Sequence, residues 1–210
     1  MVISGTDPLG IKSSSKDFDP DFRNSVEKTF GEKITDFEWS GGNTKEARTE
    51  AANNLNNFIS NYEFQEGEEL NFIAFSHGGN GGKEFTQLYA GPKKIDNMIF
   101  LGTPHRNDYQ LDYSDLSPNA NLINVYSLQD GVQPRGYIDG NVLKGIFTTP
   151  NENLRFINGF TNVEVDQSKY NKYLDWKTGL IYYNSPNPIV GHSNLHSAPV
   201  WNQYAAPLIK

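Results

Sequence analysis

Ser76 stands in Ala74-Phe75-Ser76-His77-Gly78, directly after the mostly apolar run Leu70–Phe75 and before Phe85, Leu88 and Tyr89, which have helical spacing. A strand that turns sharply into a helix leaves its turn residue in a strained conformation, and small residues two before and two after it prevent clashes. Ala74 and Gly78 supply them, with alanine where glycine is usual, and Gly79 adds freedom. Such a turn lifts the serine oxygen above the sheet at the start of a helix. There the His77 N–H would face a developing oxyanion. The chemistry implied is attack by a hydroxyl on an acyl carbonyl. The same pentapeptide would also suit a plain glycine-rich turn with a surface serine.

A nucleophilic serine needs a base, and the base needs an orienting carboxylate. There are four histidines, His77, His105, His192 and His196. His77 neighbours the serine and would point elsewhere, and His105 precedes the best acid in the chain. The base is therefore expected in Gly191-His192-Ser193-Asn194-Leu195-His196. His192 is favoured because it follows a glycine and a short apolar run. His196 abuts the last helix, where it would serve as a cap or a supporting hydrogen-bond partner. For the acid, Asp130 follows the apolar run Leu122–Tyr126 and precedes Gly131, so it belongs beyond a strand's carboxyl end. As an Asp-Gly pair it could equally open a turn. Asp108, Asp112 and Asp115 read as a solvated loop. The second oxyanion donor is expected from Ser4-Gly5-Thr6-Asp7-Pro8, at the Thr6 N–H or alternatively at Asp7. His192 and His196 are i, i+4 apart, a metal-binding spacing on a helix. Pro199 argues that the helix starts after them, and no His-Glu-x-x-His motif exists. No metal or other cofactor is expected.

The chain of 210 residues is long enough for one domain with a sizeable core. Its formal net charge of -7 and lack of a long basic run argue against nucleic acid as a partner. Without cysteine there is no disulfide and no thiolate chemistry. No apolar run approaches the roughly 20 residues of a membrane helix, and no signal peptide is visible. The start at a strand-like Val2 suggests a chain cut from a longer protein or one whose leader has been removed.

These residues need a scaffold, and short apolar runs alternate with helical patterns. Met1–Ile3, Lys33–Trp39, Leu70–Phe75, Ile95–Leu101, Leu122–Tyr126 and Thr161–Val165 read as strands. Asp19-Pro20 opens a helix carrying Phe22, Val26 and Phe30. Thr44 caps a second helix with Ala47, Ala51, Leu55, Phe58 and Ile59 on one face. A last helix follows Ser197. This alternation predicts an α/β fold, doubly wound around a mainly parallel sheet, with chemistry at the carboxyl ends of the strands. Residues 1–210 form a single domain in this reading, with a lid-like or hairpin insertion within 131–190 that is dense in aromatics.

Phe75-Ser76-His77-Gly78-Gly79-Asn80 resembles the elbow of bacterial lipases and related serine esterases of the α/β-hydrolase superfamily. Leu101-Gly102-Thr103-Pro104-His105 and Val125-Tyr126-Ser127-Leu128-Gln129-Asp130 resemble the two strand ends that follow it in those enzymes. The resemblance implies hydrolysis of carboxylic esters, of lipid or phospholipid acyl groups in particular, and transient contact with a membrane surface. A narrower likeness is to hydrolase domains at the C-termini of rearrangement-hot-spot (Rhs) repeat toxins, which pair a Ser-His-Gly-Gly-Asn elbow with a late His-Ser motif and a tryptophan, here Trp201. It implies a secreted or delivered effector with an upstream delivery domain and a cognate inhibitor. The rival is a binding module that kept the fold and lost activity.

Overall fold

A computed structural model describes residues 1–210 except 4, 6–12, 15, 17, 141–147, 168–171, 176–179, 184–187 and 210. Its centre is a sheet of five strands: β1 (Val2–Ile3), β4 (Leu70–Phe75), β5 (Ile95–Leu101), β6 (Leu116–Tyr126) and β7 (Thr161–Glu164), hydrogen-bonded in that spatial order. Every pairing is parallel. Parallel neighbours need a crossover; α-helices lie in those from β1 to β4 and from β4 to β5, and 3₁₀ turns in those from β5 to β6 and from β6 to β7.

The two faces can be read in the strand alternation. Phe72 and Ala74 of β4, with Met98 and Phe100 of β5, join one core with Leu55, Ile59 and Phe85. Ile73, Ile99 and Leu101 point the other way and join Phe22, Val26, Val200 and Trp201. The first core lies under α2 (Lys45–Ser60) and α3 (Gly78–Leu88). The second lies under α1 (Pro20–Phe30) and the C-terminal segment. That segment opens as α5 (Ala198–Val200) and passes through a π-helical stretch (Trp201–Ala205) into a 3₁₀ turn (Ala206–Leu208). The predicted α/β class therefore holds, as a parallel sheet covered on both sides.

The helix starts follow the sequence. Asp19 accepts a hydrogen bond from Asp21 N–H with Pro20 in the first turn, and Thr44 accepts one from Ala47 N–H. Three expectations need correction. Lys33–Trp39 is not a strand of the main sheet. The strand there is Glu38–Trp39 (β3), and it pairs antiparallel with β2 (Ser13–Ser14). Phe58 is exposed, and the face of α2 that includes Ala51 and Leu55 buries Arg48 completely. Asp115 is buried, so Asp108–Asp115 is not simply a solvated loop.

Within the expected insertion, β8 (Lys172–Asp175) and β9 (Leu180–Tyr183) form an antiparallel pair. Phe147, Tyr170 and Trp176 lie outside the described residues. Trp201 is fully buried against Phe22 and donates from Nε1 to Thr29 Oγ1, so it is a core residue.

Candidate active site

Register brings the strand ends into one rim. Ile3 pairs with Ala74, Phe75 with Leu101, Leu101 with Val125 and Tyr126 with Glu164. The residues that follow, Gly5, Ser76, Gly102 and Ser127–Asp130, therefore gather at the carboxyl edge of the sheet. That edge is where ligands of open α/β sheets bind.

Ser76 follows β4 directly and has φ 53, the positive-φ non-glycine residue among those described. A side chain there is strained, and such strain persists only when the surroundings hold it. Two contacts do so. Ser76 N–H donates to Leu101 O at 2.9 Å, and Gly79 N–H donates to Ser76 O at 3.1 Å. Gly5 lies so close that a Cβ there would stand 2.7 Å from Ser76 Cβ, so the first strand's loop reaches the serine. Gly79 does not supply conformational freedom. It allows close approach, since a Cβ would stand 2.2 Å from Thr103 Oγ1.

His77 occupies the cap position of α3, at the helix end where first-turn amides lack helical acceptors. Its ring turns away from the serine toward Asn80, with Nδ1 3.3 Å from Asn80 Nδ2. Burial pushes its pKa well below the usual histidine value, and the charges of Arg48 and Arg106 push it the same way. The expected oxyanion donor Thr6 lies outside the described residues.

His192 lies in α4 (Pro188–Ser193), a short helix rather than the loop expected. Its Nδ1 is 2.7 Å from Asp130 Oδ2. The other carboxylate oxygen, Oδ1, accepts from Val132 N–H at 2.8 Å and Gln133 N–H at 3.0 Å. Asp130 is fully buried, so both oxygens must be satisfied, and they are. A carboxylate accepting at Nδ1 leaves Nε2 as the basic nitrogen, and Nε2 is buried with no hydrogen-bond partner among the described residues. Its ring packs on Phe75, centroids 4.7 Å apart. Gly102, at φ 60, leaves the space for it, because a Cβ there would stand 3.1 Å from His192 Cε1.

His196 follows on a 3₁₀ turn (Asn194–His196), so the two histidines do not share one helical face for a metal. Its ring sits among Phe75, Phe18 and Phe22, with centroids 4.4, 5.2 and 6.2 Å away. Burial, then the nearby His192, lowers its pKa to about 3. It is a neutral aromatic of the core.

Several positioning groups escaped the sequence reading. Arg155 is buried, and its guanidinium donates to Ser127 O and, at 2.6 Å, to Asp130 O, clasping the acid loop. Gln167 Nε2 donates to Gly191 O and ties the histidine segment to the end of β7. Gln133 Nε2 donates to Thr103 O at 2.8 Å. Helix α3 is also clamped to the loop after β5. Asn80 Nδ2 donates to Pro104 O at 3.0 Å, and Lys83 Nζ lies 2.5 Å from His105 Nδ1. Burial lowers Lys83 to about 7 and His105 to about 4. No local pattern announces these contacts, since each joins residues far apart in the chain.

No family model matches the chain and no curated protein matches it, so the functional reading rests on the geometry of this rim.

Proposed function

We propose that the protein is a serine hydrolase of α/β-hydrolase type that cleaves carboxylic esters, acyl esters of lipids or phospholipids among them. The observation that carries the reading is the strained Ser76 at the end of β4, on the same rim as a buried His192–Asp130 pair. In this reading Ser76 Oγ attacks the ester carbonyl and passes its proton to His192 Nε2. Asp130 keeps the ring oriented and stabilises the imidazolium. The His77 N–H, together with Thr6, stabilises the oxyanion. The tetrahedral intermediate collapses, the C–O bond breaks, and the leaving alkoxide takes the proton from His192. Water then repeats the sequence on the acyl-enzyme and releases the acid. The Rhs likeness adds an effector that attacks phospholipid, with a delivery domain and an inhibitor as partners.

Ser76→Ala is the direct test. Hydrolysis of a 4-nitrophenyl ester should fall by several orders of magnitude, up to about 10⁶, with thermal stability little changed. A fluorophosphonate should label wild type at Ser76. An unlabelled, inactive wild-type protein would favour a binding module on the same fold.

A further inference from the structure

Next to the loop after β5 that Asn80 and Lys83 of α3 hold lies a second constellation that the hydrolase reading does not use. Arg48 of α2 is fully buried and Arg106, after β5, nearly so. Most of their contacts are fixed by the body of the protein. Arg48 Nε donates to Tyr109 Oη at 2.7 Å and Nη1 to Asn43 Oδ1 at 3.1 Å. Arg106 Nε and Nη2 donate to the two Asp108 oxygens at 2.9 and 2.7 Å. The Tyr109 ring has the Arg48 guanidinium 5.2 Å and the Arg106 guanidinium 5.3 Å from its centroid.

One terminal nitrogen of each arginine remains outside these contacts, and both converge on a single atom. Arg48 Nη2 and Arg106 Nη1 donate to Asp139 Oδ1, the latter at 2.5 Å. Asp139 belongs to a different part of the chain, the segment after the acid loop. Its side chain is 38% exposed and that of Asp108 43%, so these two carboxylates are the solvent-facing members of the group. Asn43 anchors its neighbours, donating from Nδ2 to Ile138 O and Gly140 O and accepting from Gly140 N–H.

The charge count gives this arrangement a direction. Two guanidinium groups face two carboxylates, Asp108 and Asp139. Removing Asp139 would leave one buried positive charge without its partner, a costly state that an incoming anion relieves. The two N–H groups that Asp139 holds come from two guanidinium groups and converge on one oxygen, so an incoming carboxylate or phosphate oxygen would accept two charge-assisted hydrogen bonds there.

We propose that Arg48 and Arg106 form an anion-recognition subsite, plugged by the Asp139 carboxylate until the anionic group of an ester substrate replaces it. The proposal rests on the hydrolase reading for its substrate, but its binding step can be tested apart from it. Carboxylate and phosphate share the recognising chemistry.

The test compares two 4-nitrophenyl esters of equal chain length, the neutral pentanoate and the glutarate monoester with its terminal carboxylate. Wild type should favour the charged ester in kcat/KM by about tenfold or more, the worth of a charge-assisted hydrogen bond. Arg106→Gln should erase that ratio, and Asp139→Asn should enlarge it. No preference in wild type, or a preference that survives Arg106→Gln, overturns the proposal and leaves the cluster as a structural clamp. A second arm reads binding without catalysis. At fixed ionic strength, inorganic phosphate or glutarate should raise the Tm of Asp139→Asn by several degrees, and the rise should vanish in the Asp139→Asn/Arg106→Gln double variant. The more effective anion identifies the source, and no rise with either overturns the subsite. Should neither ester be cleaved, the hydrolase reading fails while this arm still decides the subsite. Should Asp139→Asn not fold, phosphate or glutarate must still raise the Tm of wild type and not of Arg106→Gln, and equal shifts would sink the idea.

Discussion

At the scale of single residues, two buried histidines four positions apart have different surroundings. His192 meets a carboxylate with one nitrogen and keeps the other for a proton, whereas His196 meets three phenylalanine rings. Under the proposed hydrolase function, His192→Ala should therefore lose ester hydrolysis by several orders of magnitude, close to the loss from Ser76→Ala, because such groups act as a unit. His196→Ala should lower activity far less and keep an imidazole-like ionisation in the pH profile of kcat/KM. Kinetics of the two variants across pH decide the matter, and the reverse ranking would move the base to His196. The sequence alone leaned toward His192 on its flanking glycine and short apolar run. It could not reveal the aromatic cage, because Phe18, Phe22 and Phe75 approach His196 only through the tertiary fold.

Between elements, glycine marks where backbones must touch. A Cβ on Gly191 would stand 2.3 Å from the carbonyl oxygen of Gln129, a backbone atom with little room to yield. Gly191→Ala should push α4 away from the acid loop and disturb the His192–Asp130 contact. A misplacement of about 1 Å costs roughly 10²-fold in rate, so kcat should fall by about that factor while the protein stays folded. Wild-type kcat in Gly191→Ala would refute this account of how the loops are held. Gly81 of α3 makes the contrast, since a Cβ there meets nothing within 4 Å. Gly81→Ala should raise stability by about 0.5–1 kcal/mol, read by urea denaturation, and a loss would mean that the helix needs the gap. The parallel strands and both capped helices were legible because a period and a cap are local signals. The β2–β3 ribbon was not, since each strand has two residues and no period. Nor was the clasp of Arg155, whose partners Ser127 and Asp130 lie 28 and 25 residues away.

For the molecule as a whole, the histidines couple folding to pH. His77, His105 and His196 all have lowered pKa values, burial being the largest cause in each. The sign follows from linkage. In the unfolded chain these rings take up protons as pH falls through about 6.5, while in the folded protein they stay neutral to lower pH. The unfolded state then binds more protons, so stability is fully present above pH 6.5 and is lost as pH falls toward the folded values, about 4 for His105 and about 3 for His196. One such ring contributes a slope of at most about 1.4 kcal/mol per pH unit within its window. The lowered carboxyl groups of Glu27 and Asp108 act in the same direction, but only near and below the ordinary carboxyl values of 4.5 and 3.8. Between pH 6 and pH 5 the buried N-terminal amine, lowered to about 6, adds to the slope, so the share of His196 is read as the difference between wild type and a variant. His196 can be separated from the other two because Phe18, Phe22 and Phe75 pack against its ring. His196→Phe keeps an aromatic ring in the cage and removes the titrating group. Urea denaturation of wild type should show stability falling from pH 6 to pH 5. The same series on His196→Phe should fall less steeply by up to the share of one histidine. An unchanged slope would mean that His196 takes up its proton without unfolding, and that the cage around it opens to water in the native state.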